Sequence, residues 1–318
     1  MHLPLGQSLI ITAGVVMVIL PSVQGSDIVK EPYCSCRGYR CGIPNPDGRV
    51  VGGRVTSRGR YPWLASLNYR GKMYCGASLV NDRFLVSAAH CVKNINKDKV
   101  EILLGSYNRS DSTEISRRVR RVKEWWTPDD YYSKSVINDI GVIELNEPVV
   151  INRYIRPVCL PLEDQSYAGE YGIVIGWGRQ SEGGEHSDVV RKIKVPILSN
   201  EDCRNTKHIP GDITDTMMCA GYDAGRIDSC GGDSGGPLLH ERSGGSQIDL
   251  IGIVSWGEGC GRTGYPGVYT RIQSFRNFID TKISSGCFCP HQEEDLPLLQ
   301  QVQGSEALPA SSRYGKQN

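Results

Sequence analysis

The sequence predicts an all-β fold, a sandwich or a barrel, that ends in a helix. Two observations carry this prediction. Short apolar runs of strand length recur between residues 50 and 285, for example at 84–86, 100–104, 140–145, 173–175 and 250–254. Clusters of Gly, Pro, Asn and Asp separate these runs, which is typical of all-β proteins rather than of alternating strands and helices.

Two segments have helical signals. The stretch Ser199-Asn200-Glu201-Asp202 resembles a capping box, so it predicts the start of a short helix. After Ser274, apolar residues recur at helical spacing and predict an amphipathic helix that packs on the body; they are Phe275, Phe278, Ile279 and Ile283.

The N-terminus predicts export. An apolar run at residues 8–20 is shorter than the roughly 20 residues that a membrane-spanning helix needs. The small residues Val23 and Gly25 suit signal peptidase, so we expect a signal peptide at residues 1–25; a retained signal anchor is the alternative. The 12 cysteines, an even number, favour an oxidising compartment and therefore a secreted, extracellular protein.

Charge and composition narrow the function. The chain has 318 residues, with 36 Lys and Arg against 35 Asp and Glu. This near-neutrality argues against binding to nucleic acid or to an acidic membrane surface. The sequence has no paired CxxC zinc motif, phosphate loop or haem motif, so we expect no cofactor and no metal.

The chain divides into four predicted parts. The signal peptide is followed by residues 26–49, a cysteine-containing segment too small to bury a core of its own. Residues 50–285 form the β domain. Residues 286–318 form a cysteine-containing C-terminal extension, and its polar, aperiodic composition from Pro290 onward predicts that most of it is disordered.

Three stretches have residues typical of nucleophilic catalysis. They are Gly231-Gly232-Asp233-Ser234-Gly235-Gly236-Pro237, Ser87-Ala88-Ala89-His90-Cys91 and Asn138-Asp139-Ile140-Gly141-Val142. Taken singly, the first is compatible with an ordinary turn, the second with a structural histidine and the third with a turn before a strand. Together they supply a serine in a glycine-dense loop, a base and a carboxylate, which is the set that activates a hydroxyl group.

These stretches resemble those of the trypsin-like (chymotrypsin-fold) serine proteases, and the resemblance covers residue 50 to about residue 285. It implies two packed antiparallel β-barrels with the active site between them. It also implies that Ser234 is the nucleophile, that His90 is the general base and later the general acid, and that Asp139 orients His90. The backbone N–H groups of Gly232 and Ser234 would form the oxyanion hole.

The resemblance extends to substrate specificity. Asp228, six residues before Ser234, matches the pocket floor of the trypsin subclass, where a carboxylate selects Arg or Lys; the alternative is an exposed turn residue. Gly257 and Gly267 match the pocket walls. The segment Ser255-Trp256-Gly257 would pair with the substrate backbone. Gly231 departs from the longer polar residue of many relatives, which leaves the fine subsite preference open.

A zymogen switch is implied by the sequence Arg49-Val50-Val51-Gly52-Gly53. Relatives commonly have Ile where this chain has Val50. Cleavage after Arg49 would free the Val50 amino group, which by resemblance inserts beside Asp233 and orders the pocket. Because the cut follows an arginine, another trypsin-like protease or the enzyme itself could make it.

The resemblance also implies four disulfides, namely Cys75–Cys91, Cys203–Cys219, Cys230–Cys260 and Cys41–Cys159. The last would tether the light chain, residues 26–49, after activation. Four cysteines fall outside this framework: Cys34, Cys36, Cys287 and Cys289. Rings closed between near neighbours would be strained, so we expect two bridges between residues 34–36 and residues 287–289, in either of two patterns. Pairing with another chain is the alternative.

Two weaker signals lie in one polar loop. Asn108-Arg109-Ser110 is an N-glycosylation sequon. Trypsins bind calcium in this loop, but Ser106 occupies a position where a calcium-binding relative has a carboxylate. Fewer anionic oxygens weaken calcium binding, so we expect no required metal.

The sequence therefore predicts a secreted serine endopeptidase, made as a zymogen, that hydrolyses bonds after Arg or Lys through an acyl-enzyme. Its partners would be protein substrates with Arg or Lys at the cleavage site, an activating trypsin-like protease and protein inhibitors, without nucleic acid or membrane. The alternatives are a non-catalytic homologue that acts as a binding cofactor and a membrane-anchored protease.

Overall fold

A computed structural model describes residues 39–47, 55–161, 165–179, 181–209, 211–225, 232–242, 245 and 247–287. All described residues belong to one compact unit, residues 34–318. The predicted signal peptide and nearly all of the predicted C-terminal extension lie outside the described residues, as does residue 49, where the predicted activation cleavage occurs.

The first sheet is a closed antiparallel barrel. Its strands are β1 (Leu64–Tyr69), β2 (Lys72–Leu79), β3 (Phe84–Ser87), β4 (Val100–Leu104), β5 (Arg118–Trp126) and β6 (Gly141–Leu145). Around the barrel they follow the order β1-β2-β3-β6-β5-β4. Strand β4 alternates buried and half-buried residues, because one face lines the barrel interior.

The second sheet is also antiparallel. Its six strands are β7 (Tyr171–Gly176), β8 (Arg191–Pro196), β9 (Met217–Ala220), β10 (Pro237–Glu241), β11 (Ile248–Trp256) and β12 (Gly267–Arg271). They follow the order β8-β7-β10-β11-β12-β9. An isolated bridge between Ile197 and Ala220 brings the two edges together, so the sheet curls towards a barrel. The predicted all-β fold class is confirmed.

The described residues include three short α-helices, α1 (Ala89–Val92), α2 (Asn200–Arg204) and α3 (Arg276–Ile283), and 3-10 turns at Lys97–Lys99 and Ile272–Phe275. Helix α2 begins where the capping signal predicts, and Ser199 Oγ accepts the Asp202 N–H at 3.0 Å. None of the helices in the described part of the chain is long and apolar enough to span a bilayer.

The C-terminal helix packs as its apolar spacing predicts, although it begins later than Ser274. A 3-10 turn occupies that position, and Phe275 precedes α3 without a side-chain cap. Ile279 is fully buried, while Phe278 and Ile283 pack against the core. The end of α3 is held by Asn81, whose Nδ2 donates to the Ile283 carbonyl at 3.3 Å.

Candidate active site

His90 is held by a buried carboxylate. Its ring Nδ1 lies 2.7 Å from Asp139 Oδ2, and its backbone N–H donates to Asp139 Oδ1 at 2.9 Å. A carboxylate only accepts hydrogen bonds, so Nδ1 carries the proton and Nε2 is the acceptor of the neutral ring. The His90 side chain is 31% exposed, so a substrate can reach it.

The second sheet supplies further donors to Asp139. Ser255 Oγ donates to Asp139 Oδ2 at 2.6 Å, and Thr270 Oγ1 donates to the Asp139 carbonyl at 2.7 Å. Asp139 is only 1% exposed, and burying a charge is costly unless it is hydrogen-bonded. The bond from Ser255 helps to offset that cost, and both contacts place the site at the junction of the two sheets.

A β-bulge directs Ser255 towards Asp139. In the pairing of β11 with β12, Val254 faces Tyr269 and Trp256 faces Val268, which leaves Ser255 as the extra residue. Such an insertion redirects a side chain and is common beside active sites.

The backbone just before Asp139 is strained. Val136 and Asn138 have φ values of +53° and +56°. Left-handed backbone is unfavourable for a β-branched residue such as Val136. Strain of this kind persists where the surrounding structure over-determines it, and it concentrates at functional sites.

The loop that carries Ser234 is anchored both to the first barrel and to the second sheet. The Gly76 N–H donates to the Ser234 carbonyl at 2.8 Å, and the Gly235 N–H donates to the Val254 carbonyl at 2.8 Å. A β-carbon at Gly235 would lie 2.3 Å from Ser87 Oγ, so only glycine permits this close approach. The loop therefore lies against β2, against the end of β3 and, through Cys91, against α1, the helix that carries His90.

A disulfide between Cys75 and Cys91 joins the same elements. Its two sulfurs and a His90 ring nitrogen lie within 4.8 Å of one another. The sulfurs are bonded to each other, so this cluster is not a metal site.

The Asp233 carboxylate packs against two glycines, Gly176 and Gly178. Its Oδ1 accepts the Gly178 N–H at 2.8 Å, and a β-carbon at Gly176 or Gly178 would come within 2.1 Å of its carboxylate. Next to it, Gly232 has φ +99°, and a β-carbon there would lie 2.4 Å from the His186 ring. Burial lowers the pKa of His186, with further lowering from Arg179 and Arg109.

Gly257 and Gly267, the predicted pocket walls, lie next to each other. A β-carbon at Gly257 would lie 4.0 Å from the Gly267 Cα, and Gly257 is exposed while Gly267 is buried. Trp256, at the end of β11, is half-buried beside them. The other predicted pocket and activation residues, Asp228, Gly231, Arg49 and Val50, lie outside the described residues.

Three of the implied disulfides are described: Cys41–Cys159, Cys75–Cys91 and Cys203–Cys219. Cys260 and Cys287 are also disulfide-bonded, and their partners are not among the described residues. Cys34, Cys36, Cys230 and Cys289 lie outside the described residues. Asn108, the predicted glycosylation site, is half-buried, and its Oδ1 accepts the Ser110 N–H at 3.0 Å.

Several of these contacts were not predicted from the sequence. Ser255 was predicted to bind substrate, and its bond to Asp139 depends on a bulge that leaves no local signal. Thr270 and His186 lie 131 and 46 residues from their neighbours Asp139 and Gly232, so only the folded chain brings these pairs together.

The comparisons with known proteins agree with this geometry. Residues 50–279 match the family model named Trypsin. Because this match covers most of the chain, the protein belongs to the trypsin family of serine proteases.

Three relatives illustrate the similarity. The chain is 38% identical over 237 residues to Transmembrane protease serine 11B of Homo sapiens, covering 74% of this chain and 55% of the relative. It is 35% identical over 264 residues to Venom serine protease Bi-VSP of Bombus ignitus, covering 78% and 72%. It is 35% identical over 252 residues to Serine proteinase stubble of Drosophila melanogaster, covering 75% and 32%. The chain thus spans about half of the human relative and about a third of Stubble.

In the loop that binds calcium in trypsins, an arginine side chain of this protein bonds to the loop oxygens. The Arg117 guanidinium donates to Ser106 Oγ at 3.0 Å and to the Asn108 carbonyl at 2.8 Å. The fully buried Glu114 carboxylate accepts the Tyr107 and Asn108 N–H groups and pairs with Arg58 at 2.9 Å. A guanidinium at these oxygens would repel a second cation, so the residues present do not fit calcium.

Proposed function

We propose that this protein is a secreted serine endopeptidase that is made as a zymogen and cleaves after Arg or Lys. The observation that carries the proposal is the hydrogen-bonded series from Ser255 through Asp139 to His90, with Ser234 on a loop tied to the same barrel. A buried carboxylate that fixes one ring nitrogen of an accessible histidine suits general-base catalysis.

The chemistry follows from these positions. The Ser234 hydroxyl would add to the scissile carbonyl carbon and pass its proton to His90 Nε2. The resulting oxyanion would accept hydrogen bonds from the Gly232 and Ser234 N–H groups. When the intermediate collapses, the C–N bond breaks and the leaving amine takes the proton from His90. Water then hydrolyses the acyl-enzyme, with His90 again as base.

The proposed specificity rests on Asp228 as pocket floor. The two neighbouring glycines 257 and 267, which have no side chains, support an open slot for the substrate side chain. Replacing Asp228 with Ser should lower kcat/KM on arginyl peptides by at least about 100-fold, because a buried cation loses its partner. Labelling of Ser234 by a fluorophosphonate should persist in this variant. Unchanged kcat/KM would contradict the specificity.

The serine mechanism has its own test. A fluorophosphonate probe should label the activated protein, and Ser234→Ala should abolish the labelling. Labelling of the alanine variant, or none of the wild type after cleavage at Arg49, would contradict the proposal.

Activation is proposed to require cleavage after Arg49, because a free Val50 ammonium could then pair with Asp233. The close packing of Gly176 and Gly178 against the Asp233 carboxylate supports a role for that side chain in ordering the loop. The Arg49→Gln protein should fold and be secreted but remain almost inactive after treatment with trypsin, whereas treated wild type gains activity. Full activity without any N-terminal cut would show that the switch is wrong.

Secretion is supported by the venom relative, whose printed name describes a venom protein. The human relative is named a transmembrane protease, so an anchored form is the alternative. N-terminal sequencing of the protein isolated from culture medium and from membranes decides between them: secretion requires a new N-terminus near residue 26.

A further inference from the structure

Asp47 ties the predicted light chain to the body of the protein. It lies two residues before Arg49, the proposed activation site, which is itself outside the described residues. Its Oδ2 pairs with Lys192 Nζ, and its Oδ1 accepts the Ser57 hydroxyl at 3.0 Å and the Ser57 N–H at 3.3 Å. The Asp47 and Lys192 side chains are each 29% exposed. Both carboxylate oxygens are therefore bonded to the body, one of them to a cation at the start of β8.

These bonds favour the charged form of Asp47. Burial by itself would raise the pKa of Asp47, but the bonds to Lys192 and Ser57 outweigh it and lower the pKa below its usual 3.8. A carboxyl group with such a pKa is ionised at neutral pH. The contact with Lys192 is therefore an ion pair under the conditions in which the protein would be activated.

The chain is attached to the same region again after the activation site. Val55 forms a β-bridge with Arg191, and the Thr56 N–H donates to the Val190 carbonyl at 3.0 Å. Thr56 is only 2% exposed, so this second attachment is shielded from water.

Residues 48–54 lie in the sequence between the two attachments, which engage the neighbouring residues Lys192 and Arg191. A protease binds its substrate as an extended strand on both sides of the bond to be cut. Seven extended residues span about 23 Å, far more than the separation of two attachments on adjacent strand residues, so full extension requires the release of one attachment. The Asp47 attachment is the easier to release, because it consists of bonds from one partly exposed side chain.

We infer that the ion pair between Asp47 and Lys192 restrains activation, because Arg49 becomes accessible to an activating protease only when the pair opens. The inference rests on the proposed function, since cleavage after Arg49 belongs to it. When a contact opens and closes faster than a protease cuts, the cutting rate follows the fraction of molecules in the open form. Lys192 lowers that fraction and thereby sets how much activating protease is required.

Cleavage by limiting trypsin tests the inference, with Lys192→Gln as the main comparison. This change removes the cation and leaves the sequence around Arg49 as it is, so the sequence preference of trypsin cannot account for a difference. We expect the cut after Arg49 to be about threefold faster than in wild type, because a partly exposed ion pair has a modest effect. Lys192→Arg keeps the cation and should be cut as slowly as wild type.

Lys194 provides a matched control. It lies two residues further along β8, on the same face of the strand, and its ammonium lies 4.6 Å from the centre of the Tyr171 ring. Lys194→Gln removes one positive charge from the same strand and should leave the cutting rate unchanged. If Lys192→Gln is cut no faster than wild type, or if both glutamine variants gain equally, the inference is wrong.

The other partner of the pair gives an independent measurement. Asp47→Asn changes the cleavage sequence itself, so its rate is divided by that of a synthetic peptide of residues 44–54 with the same change. The corrected rate should rise about as much as that of Lys192→Gln, and the double variant should gain no more than either single variant. Additive gains would show that the two side chains act separately, which would overturn the role of the pair.

The readouts separate this inference from the proposed function. The cut is followed by gel electrophoresis and by N-terminal sequencing, which should find Val50 as the new N-terminus, and neither depends on peptidase activity. If wild type and Lys192→Gln are both cut after Arg49 but remain inactive on peptides, the proposed switch fails, while the ratio of their cutting rates still tests the restraint. If wild type gains activity on cutting but the two rates are equal, the restraint is overturned and the switch stands.

Discussion

The hydroxyl group of Ser255 donates to Asp139 Oδ2 at 2.6 Å, the same carboxylate oxygen that lies 2.7 Å from His90 Nδ1. The two residues are 116 positions apart; Ser255 lies in β11 of the second sheet, and Asp139 lies just before β6 of the barrel. Asp139 therefore does more than orient a histidine. Its buried charge ties the second sheet to the barrel that carries His90, so the alignment of the site depends on how the sheets pack.

Replacing Ser255 with Ala should reduce kcat by less than about tenfold, because one charge-assisted hydrogen bond is lost while the bond between Asp139 and His90 remains. Asp139→Asn should cost about 10⁴-fold, the magnitude of the serine-protease template, because an amide favours the wrong tautomer of His90. Peptide hydrolysis by the activated variants measures both effects. A Ser255→Ala loss as large as that of Asp139→Asn would show that the hydroxyl is itself essential.

Glu114 should be important for stability. Its side chain is fully buried, pairs with Arg58 and accepts two backbone N–H bonds. Glu114→Gln weakens these hydrogen bonds to a buried carboxylate, so we expect it to lower the free energy of unfolding by roughly 1–3 kcal/mol. Asp111→Asn, which changes a half-exposed carboxylate of the same loop, is the control and should have little effect.

The same loop predicts how calcium affects stability. Because the Arg117 guanidinium already occupies the loop oxygens, millimolar calcium or a chelator should leave the wild-type melting temperature unchanged. Thermal unfolding in the two buffers is the measurement. A rise with calcium in wild type would contradict this account, whereas a rise confined to Arg117→Gln would support it.

His186 predicts a pH effect on stability. Folding lowers the pKa of this histidine below its usual 6.5, mainly through burial. The unfolded chain then binds more protons than the native state as the pH falls through 6.5, so the contribution of His186 to stability is lost in that direction. Acidification from about pH 7 to pH 5 should lower the melting temperature of wild type more than that of His186→Gln. Equal losses would contradict the shift.

Short-range signals in the sequence accounted for much of the fold. The apolar runs predicted β3, β4 and β7, and Ser199 predicted the start of α2. They also drew attention to His90 and Asp139, which the structure places in hydrogen-bond contact. Helix α1 has four residues, too few to show a helical period, so it was not predicted.

Other features depend on contacts between distant parts of the chain. The bulge at Ser255 arises because the register between β11 and β12 shifts between Val254 and Trp256. The guanidinium of Arg117 reaches the Asn108 carbonyl only because the loop folds back on itself. The contact of His208 with Pro266 spans 58 residues, and in the sequence His208 is an isolated histidine in a polar loop.

The last prediction concerns Cys287, which follows helix α3. It is 8% exposed, its N–H donates to Asp82 Oδ1 at 2.8 Å, and its sulfur is disulfide-bonded. The other described cysteines pair among themselves or, in the case of Cys260, were expected to pair with Cys230. Bonding to Cys289 would close a strained ring with one intervening residue. We therefore expect the partner of Cys287 to be Cys34 or Cys36.

Such a bridge would hold the light chain after activation independently of the bond between Cys41 and Cys159. In a Cys41→Ser, Cys159→Ser double variant cleaved after Arg49, the light chain should stay attached on a non-reducing gel and separate under reducing conditions. A further Cys287→Ser change should weaken this attachment, leaving at most one bridge through Cys289. Peptide mapping without reduction identifies the partner. A Cys287–Cys289 peptide, or a bond from Cys287 to a second protein chain, would contradict the tether, because neither joins the C-terminus to residues 34–36.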